Sequence, residues 1–230
     1  MTAKVRTAVV VISAFAALSS ACSSGGPSAA KSPPSSTASL ADAHAVLARV
    51  ALRAGDGTTG TTVSLLPGGD QVVGRVTLDL CGAAFPSEQA RTGRLQQVVR
   101  DATGNEIVSD EHVRYQTARD GVDALKEVRA AIAQCRPDEF RKPHVRGLPL
   151  LRYKIDVIPN SRLGTLTKDR VAVATTMTAQ DGRTAFDVAI YQRRGAVLSA
   201  VYGSSVDQIL PFAHFIAGRL AALTPEAVGE

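Results

Sequence analysis

The stretch that most restricts the fold is residues 151–202. Leu151, Tyr153, Ile155 and Val157 alternate with Arg152, Lys154 and Asp156, the period of a strand with one apolar side. Pro159 and Asn160 end that run, and Val171, Val173, Thr175 and Met177 resume it. Asp181-Gly182 is a two-residue hairpin signal, followed by Phe186, Val188 and Ile190 on the next strand. Arg193-Arg194-Gly195 turns the chain again into Val197–Tyr202. Strands joined by such tight turns must be antiparallel, so this half of the chain is a meander. Ser205 then caps a helix whose apolar stripe is Val206, Ile209, Leu210, Ala213, Ile216, Ala217, Leu220 and Leu223. Pro211 lies deeper than the first turn, which predicts a late start or a kink. His214 borders the stripe.

The first half reads in the same terms. Ser39 with Asp42 predicts a helix start, and Leu40, Ala43, Val46, Leu47, Val50 and Ala51 recur at helical spacing. Strands are expected at 61–66 and 71–80, paired around Pro67-Gly68-Gly69-Asp70. An elbow at 81–88, with Phe85 as a core plug, leads to a short helix capped by Ser87 and stopped by Gly93. A second strand pair, 94–101 and 106–116, turns at Thr103-Gly104-Asn105. Within it Asp110, His112 and Arg114 share a face, expected to be a solvated polar face. Asp120 is expected to cap a helix over 121–134, with Val122, Leu125, Val128, Ile132 and Cys135 on one stripe. Two polar loops, 136–147 (which holds His144) and 161–168, are the expected recognition loops. The result is an α+β fold: an antiparallel sheet of about seven or eight strands with helices packed mainly on one face. It forms a single domain over residues 40–223, with 224–230 as a flexible tail.

Residues 1–39 do not belong to that domain. Lys4 and Arg6 precede an uncharged, largely apolar run from Thr7 to Leu18, and Ser19, Ser20 and Ala21 are small. A run of this length is too short to cross a bilayer core of about 30 Å as a helix, so residues 1–21 read as a cleaved export signal. Cys22 follows immediately. The arrangement looks like the lipobox of bacterial lipoproteins, although Ser19 stands where that motif usually has Leu. The resemblance implies that Cys22 becomes the first mature residue and carries lipid (palmitate) on the outer face of the cell membrane. The alternative is a secreted protein cut after Ala21. Residues 23–39 contain no aromatic or large aliphatic side chain. Such a Ser/Pro/Gly segment cannot offset its ordering entropy and reads as a tether with a reach on the order of 20 Å. Its Ser28-Ala29-Ala30-Lys31 matches S-x-x-K, but a disordered tether is the wrong setting for that chemistry.

The chain has three cysteines, Cys22, Cys81 and Cys135. With Cys22 lipidated, the other two are an even set in an oxidising compartment, which predicts a Cys81–Cys135 disulfide. The rival, a metal or redox pair, lacks a C-x-x-C spacing, and the four histidines (His44, His112, His144 and His214) lie in different segments. No metal and no cofactor are expected. The chain carries 26 Lys+Arg and 21 Asp+Glu, and loss of Lys4 and Arg6 with the signal leaves 24 against 21, a net of +3. That mild, dispersed excess has no basic block interleaved with aromatics, so nucleic acid is not an expected partner.

The runs LDLCGAAFPSE (78–88) and AVYGSS (200–205), with the helix ending in Cys135, resemble the extracellular sensor domain of PknH-type serine/threonine kinases and actinobacterial lipoproteins built on it. A second likeness is to Mog1/PsbP-like lipoproteins. The resemblance implies a non-enzymatic module that binds an unknown small ligand or envelope protein, held to the bilayer through Cys22. The alternatives are an envelope hydrolase or transferase using Asp79, Glu88 and Glu111, and a structural or assembly lipoprotein.

Overall fold

A computed structural model describes residues 36–57 and 59–230. Cys22, the export signal and the segment up to residue 35 lie outside the described residues. Helix α1 spans Ser36–Val50, β1 Thr62–Leu65, β2 Arg91–Arg100, β3 Glu106–Tyr115, α2 Ala118–Gln134 and β4 Leu151–Val157. The meander follows as β5 Asp169–Ala179, β6 Thr184–Arg194 and β7 Val197–Gly203, then α3 Val206–Ala222 and α4 Pro225–Val228. All seven strands form one antiparallel sheet in the order β1-β2-β3-β7-β6-β5-β4.

The fold class and the meander are as the alternation predicts. The β5–β6 turn carries Gly182 at φ +83°, a left-handed position that glycine adopts without a Cβ clash. Helix α3 starts where Ser205 places it, its side chain accepting from the Gln208 N–H. Pro211 sits inside this helix and the start is not delayed. The α2 cap differs from expectation by one role. Thr117 is the N-cap, and Asp120 returns the bond to the Thr117 N–H, a reciprocal capping box. Helix α1 begins at Ser36, ahead of the expected cap at Ser39.

Two apolar layers flank the sheet. On one face α1 and α3 bury Leu47, Val50, Ile209, Ala213, Ile216 and Leu220 against Val99, Val108, Ile190 and Val201. On the other, Ala124, Leu125 and Val128 of α2 pack with Val113, Tyr115, Tyr191, Leu198 and Ala200. Two of the three long helices thus share a face and the third covers the opposite one. Gly93 lies inside β2 instead of ending a helix. A Cβ there would come within 2.6 Å of the Ala43 Cβ, so glycine is what lets α1 seat on β2.

Three expectations are corrected. Residues 71–80 are not a strand. The slot beside β1 is filled by β2, with Thr62 opposite Arg100, and the Gly69 turn bonds to Gln96 of β2. The Thr77 N–H goes instead to the Glu88 carboxylate at 3.0 Å. Leu78 and Leu80 nevertheless bury beside Phe85 in the second core, so the alternation reported burial without a ladder. Second, 161–168 is not wholly polar surface, since Leu163 and Leu166 bury in the first core. Third, 224–230 is not a loose tail. Thr224 caps α4, Val228 is fully buried, and the Ala196 N–H donates to the Val228 carbonyl at 2.7 Å.

Candidate functional site

The largest departure from expectation concerns Asp110 and His112, which face no solvent. Both are 0 % exposed. Period-two alternation places them on one face of β3, but that face turns inward because β3 is flanked by β2 and β7 and overlain by α1. His112 sits opposite Ser199 of β7, and Ser199 opposite Gln192 of β6. His112 Nε2 lies 2.6 Å from Asp110 Oδ2, and Nδ1 lies 2.9 Å from Ser199 Oγ. The same Asp110 oxygen accepts the Leu52 N–H at 3.0 Å. With Asp110 ionised, Nε2 carries the proton and Nδ1 accepts from the Ser199 hydroxyl. The order Ser–His–Asp is that of a nucleophilic array, with the roles of the two ring nitrogens exchanged.

Burial decides against that chemistry. Ser199 is 1 % exposed, and a nucleophile must meet a substrate carbonyl and donors for its oxyanion. The array continues as structure. Gln192, also fully buried, donates to the Ala213 carbonyl of α3 at 2.8 Å and accepts the Thr167 N–H at 3.3 Å. One polar row across β3, β7 and β6 therefore binds the segment after α1, helix α3 and the 158–168 loop to the sheet. In a low-dielectric interior such a network penalises every other register.

The three carboxylates named from the sequence go to separate partners. Glu111, on the α2 face of β3, pairs with Arg94 at 2.6 Å, both buried. Burial pushes the Glu111 carboxyl up to about 7 against the pull of Arg94. Glu88 accepts the Thr77 N–H and hydroxyl and lies 3.4 Å from Arg91. Asp79 accepts the Val145 N–H at 3.0 Å. Glu111 and Glu88 thus each have an arginine beside them, with the charges of Glu88 and Arg91 also felt at Glu111, and Asp79 is taken up by backbone. Nothing in the local pattern singles out Asp187, which is pushed up to about 7 by burial and forms no ion pair among the described residues. Beside it Tyr191 and Tyr202 meet edge-to-face with centroids 6.1 Å apart, and burial raises both phenols.

Three of the exposed large apolar side chains fall within the 136–150 segment. Phe140, Val145 and Leu150 are exposed at 39, 41 and 38 %, among Arg136, Arg141, Lys142 and Arg146. Its conformation is held at several points. Cys135, where it begins, has its Sγ 2.02 Å from that of Cys81, a disulfide distance, with the Cα atoms 5.8 Å apart. Cys81 itself takes a left-handed φ of +58° before Gly82 at +60°, which makes the corner sharp. His144 Nε2 donates to the Ala83 carbonyl at 2.8 Å, and Asp79 holds Val145. Arg141 and Leu151 exchange two backbone bonds of 2.8 and 2.9 Å. Pro143 is buried, and the Arg152 guanidinium lies 4.8 Å from the Phe140 ring centroid.

A concavity of about 390 Å³ is lined by residues 142–148. A second, of about 350 Å³, is lined by Thr167, Lys168, Asp169, Arg193, Arg194 and Glu230 among others. Both loops expected to recognise a ligand thus border a concavity. In the second, Arg193 is paired with Asp169, and Arg194 caps the Leu220 and Ala221 carbonyls of α3. Among the described residues there is no cluster of three His, Cys, Asp or Glu able to hold a metal, and no helix long and apolar enough to cross a membrane.

No protein-family model matches the chain, and no relative is found among curated proteins. Among solved structures the chain is similar to the extracellular domain of PknH from Mycobacterium tuberculosis, at 13 % identity and a TM-score of 0.44, over 80 % of this chain and 91 % of that one.

Proposed function

We propose that the protein is a non-catalytic binding module, held at the outer face of the cell membrane by lipid on Cys22, which presents residues 136–150 to an extracytoplasmic ligand or partner. The observation that carries this reading is the bracing of an exposed apolar and cationic loop. Binding residues are characteristically carried on loops positioned by a rigid scaffold, and a loop already ordered loses less entropy on binding. The 136–150 segment has that character: three exposed large apolar side chains, fixed from beneath by Cys81–Cys135, Ala83, Asp79 and Leu151. The export signal and the position of Cys22 support the location, and an oxidising compartment keeps the cysteine pair bonded. The sealed Ser199–His112–Asp110 array and the separately partnered carboxylates support a non-enzymatic role.

A photo-crosslinking residue placed at Val145 in living cells tests the reading. A discrete adduct is expected there and none at exposed Glu226, on α4. Absence of adducts at Phe140, Val145 and Leu150 alike removes this surface as the binding site.

A further inference from the structure

We propose that the concavity of residues 142–148 takes an acidic, apolar segment of a partner protein, with its carboxylates on Lys142 and Arg146 and its large side chains against Val145 and the flanking Phe140 and Leu150. This rests on the reading of 136–150 as the binding surface and names the partner's chemistry.

The lining supports an anionic ligand. Lys142, His144 and Arg146 are its polar side chains, with Pro143, Val145, Gly147 and Leu148 completing it, and no acid contributes. Lys142 and Arg146 are exposed and form no ion pair among the described residues. Elsewhere the arginines of this protein are largely engaged, as Arg94 is by Glu111, Arg193 by Asp169 and Arg219 by Asp56. Of the acids in or bonded to this segment, Glu139 is taken by Arg141 at 2.7 Å and Asp79 by the Val145 N–H, and exposed Asp138 forms no ion pair among the described residues. Two free cations in a fixed frame can each donate a charge-assisted hydrogen bond to a partner carboxylate. The apolar rim distinguishes a protein from a plain polyanion, which would leave Phe140, Val145 and Leu150 in water.

Strand direction separates the junction of this segment with β4 from the N-terminal half of α1. Ala43 of α1 packs on Gly93, near the first residue of β2, so the N-terminal half of α1 lies at that end of the sheet. In the order β1-β2-β3-β7-β6-β5-β4 with every pair antiparallel, β2 and β4 run in opposite directions. The 136–150 segment enters β4 at Leu151, hence at the other end. At about 3.3 Å per residue, the 11 residues of β5 separate the two ends by roughly 35 Å. That separation holds for the junction at Leu151, whereas residues 142–145 are bonded back to the elbow that precedes β2 through Ala83 and Asp79.

The test selects a displayed random-peptide library on the mature chain carrying Cys22→Ser, with the Lys142→Ala/Arg146→Ala double variant as comparison. Both side chains are exposed, so unchanged thermal unfolding of the variant is expected and verified first. Enriched peptides should combine Asp or Glu with Leu or Phe, and should bind the double variant about tenfold more weakly at low ionic strength, an effect that salt screens. Replacing their acids by amides should cost as much. Enrichment without acidic bias, or equal binding to the double variant, overturns the acidic partner. If such peptides still depend on Phe140, the binding surface stands and only its chemistry is wrong. No enrichment, or tighter binding to inorganic polyphosphate or to phosphatidylglycerol vesicles than to any selected peptide, also overturns it.

Discussion

His112 shows how much one buried polar residue can hold in place. Both ring nitrogens are bonded, to Asp110 and Ser199, and Asp110 in turn holds the Leu52 N–H. Removing the imidazole deprives the fully buried Asp110 carboxyl of one of its two donors and empties its site in the core, a loss of about 3–5 kcal/mol. His112→Ala should lower stability by that order in chemical denaturation, whereas Ser199→Ala should lose about 1–3 kcal/mol by leaving Nδ1 unpaired. Equal tolerance of both would show that the row is not what registers the sheet. Asp187 makes a second prediction, in pH. Its carboxyl rises from an ordinary 3.8 to about 7 because burial disfavours the charge. The protonated form therefore favours the fold. That contribution is complete below the unfolded value and is lost as pH rises through about 7. Asp187→Asn should consequently stabilise the protein above neutral pH, by about 2 kcal/mol after allowance for its partial exposure, and show no advantage below pH 3.8. A pH-independent difference would contradict this. Neither residue was legible as buried in the sequence. Alternation shows which side chains share a face, but not which face is covered. Ser199 lies 87 positions from His112, and only its polarity within an otherwise apolar strand marks it.

At the scale of elements, the Cys81–Cys135 pair joins the end of α2 to the elbow on which the 136–150 segment rests. A closed loop with a sequence separation of 54 restricts the unfolded chain by roughly 4 kcal/mol in the chain-entropy model. Cys135→Ser should therefore destabilise the domain by up to about that amount. It should also speed hydrogen exchange at the Val145 N–H, which Asp79 holds from the same elbow. Global loss without faster exchange at Val145 would mean that the pair does not brace the loop. The elements with strong local signals, α2, α3 and β3 to β7, were legible because capping, hairpin turns and apolar period agreed. Residues 71–80 were not, because a strand's alternation and the burial of Leu78 and Leu80 look alike in one dimension. Which strand lies beside β1 is settled by pairing that the local pattern does not contain.

For the whole molecule, the N-terminal half of α1 lies at one end of the sheet and the 136–150 segment joins β4 at the other. Full-length protein should fractionate with membranes, and Cys22→Ser should move it to the soluble or secreted fraction. Membrane retention of that variant would exclude lipid on Cys22 as the anchor. The sequence by itself determined the α+β class, the C-terminal meander and the choice of the two cysteines to be paired. These follow from local periodicity, turn chemistry and composition, each read within a few residues. Only the tertiary structure decided that β2 fills the place beside β1, that helices cover both faces, that Val228 is core and that Asp110 and His112 are interior. Those outcomes depend on which strands become neighbours and which helix lies over them, and contacts between residues tens of positions apart set both.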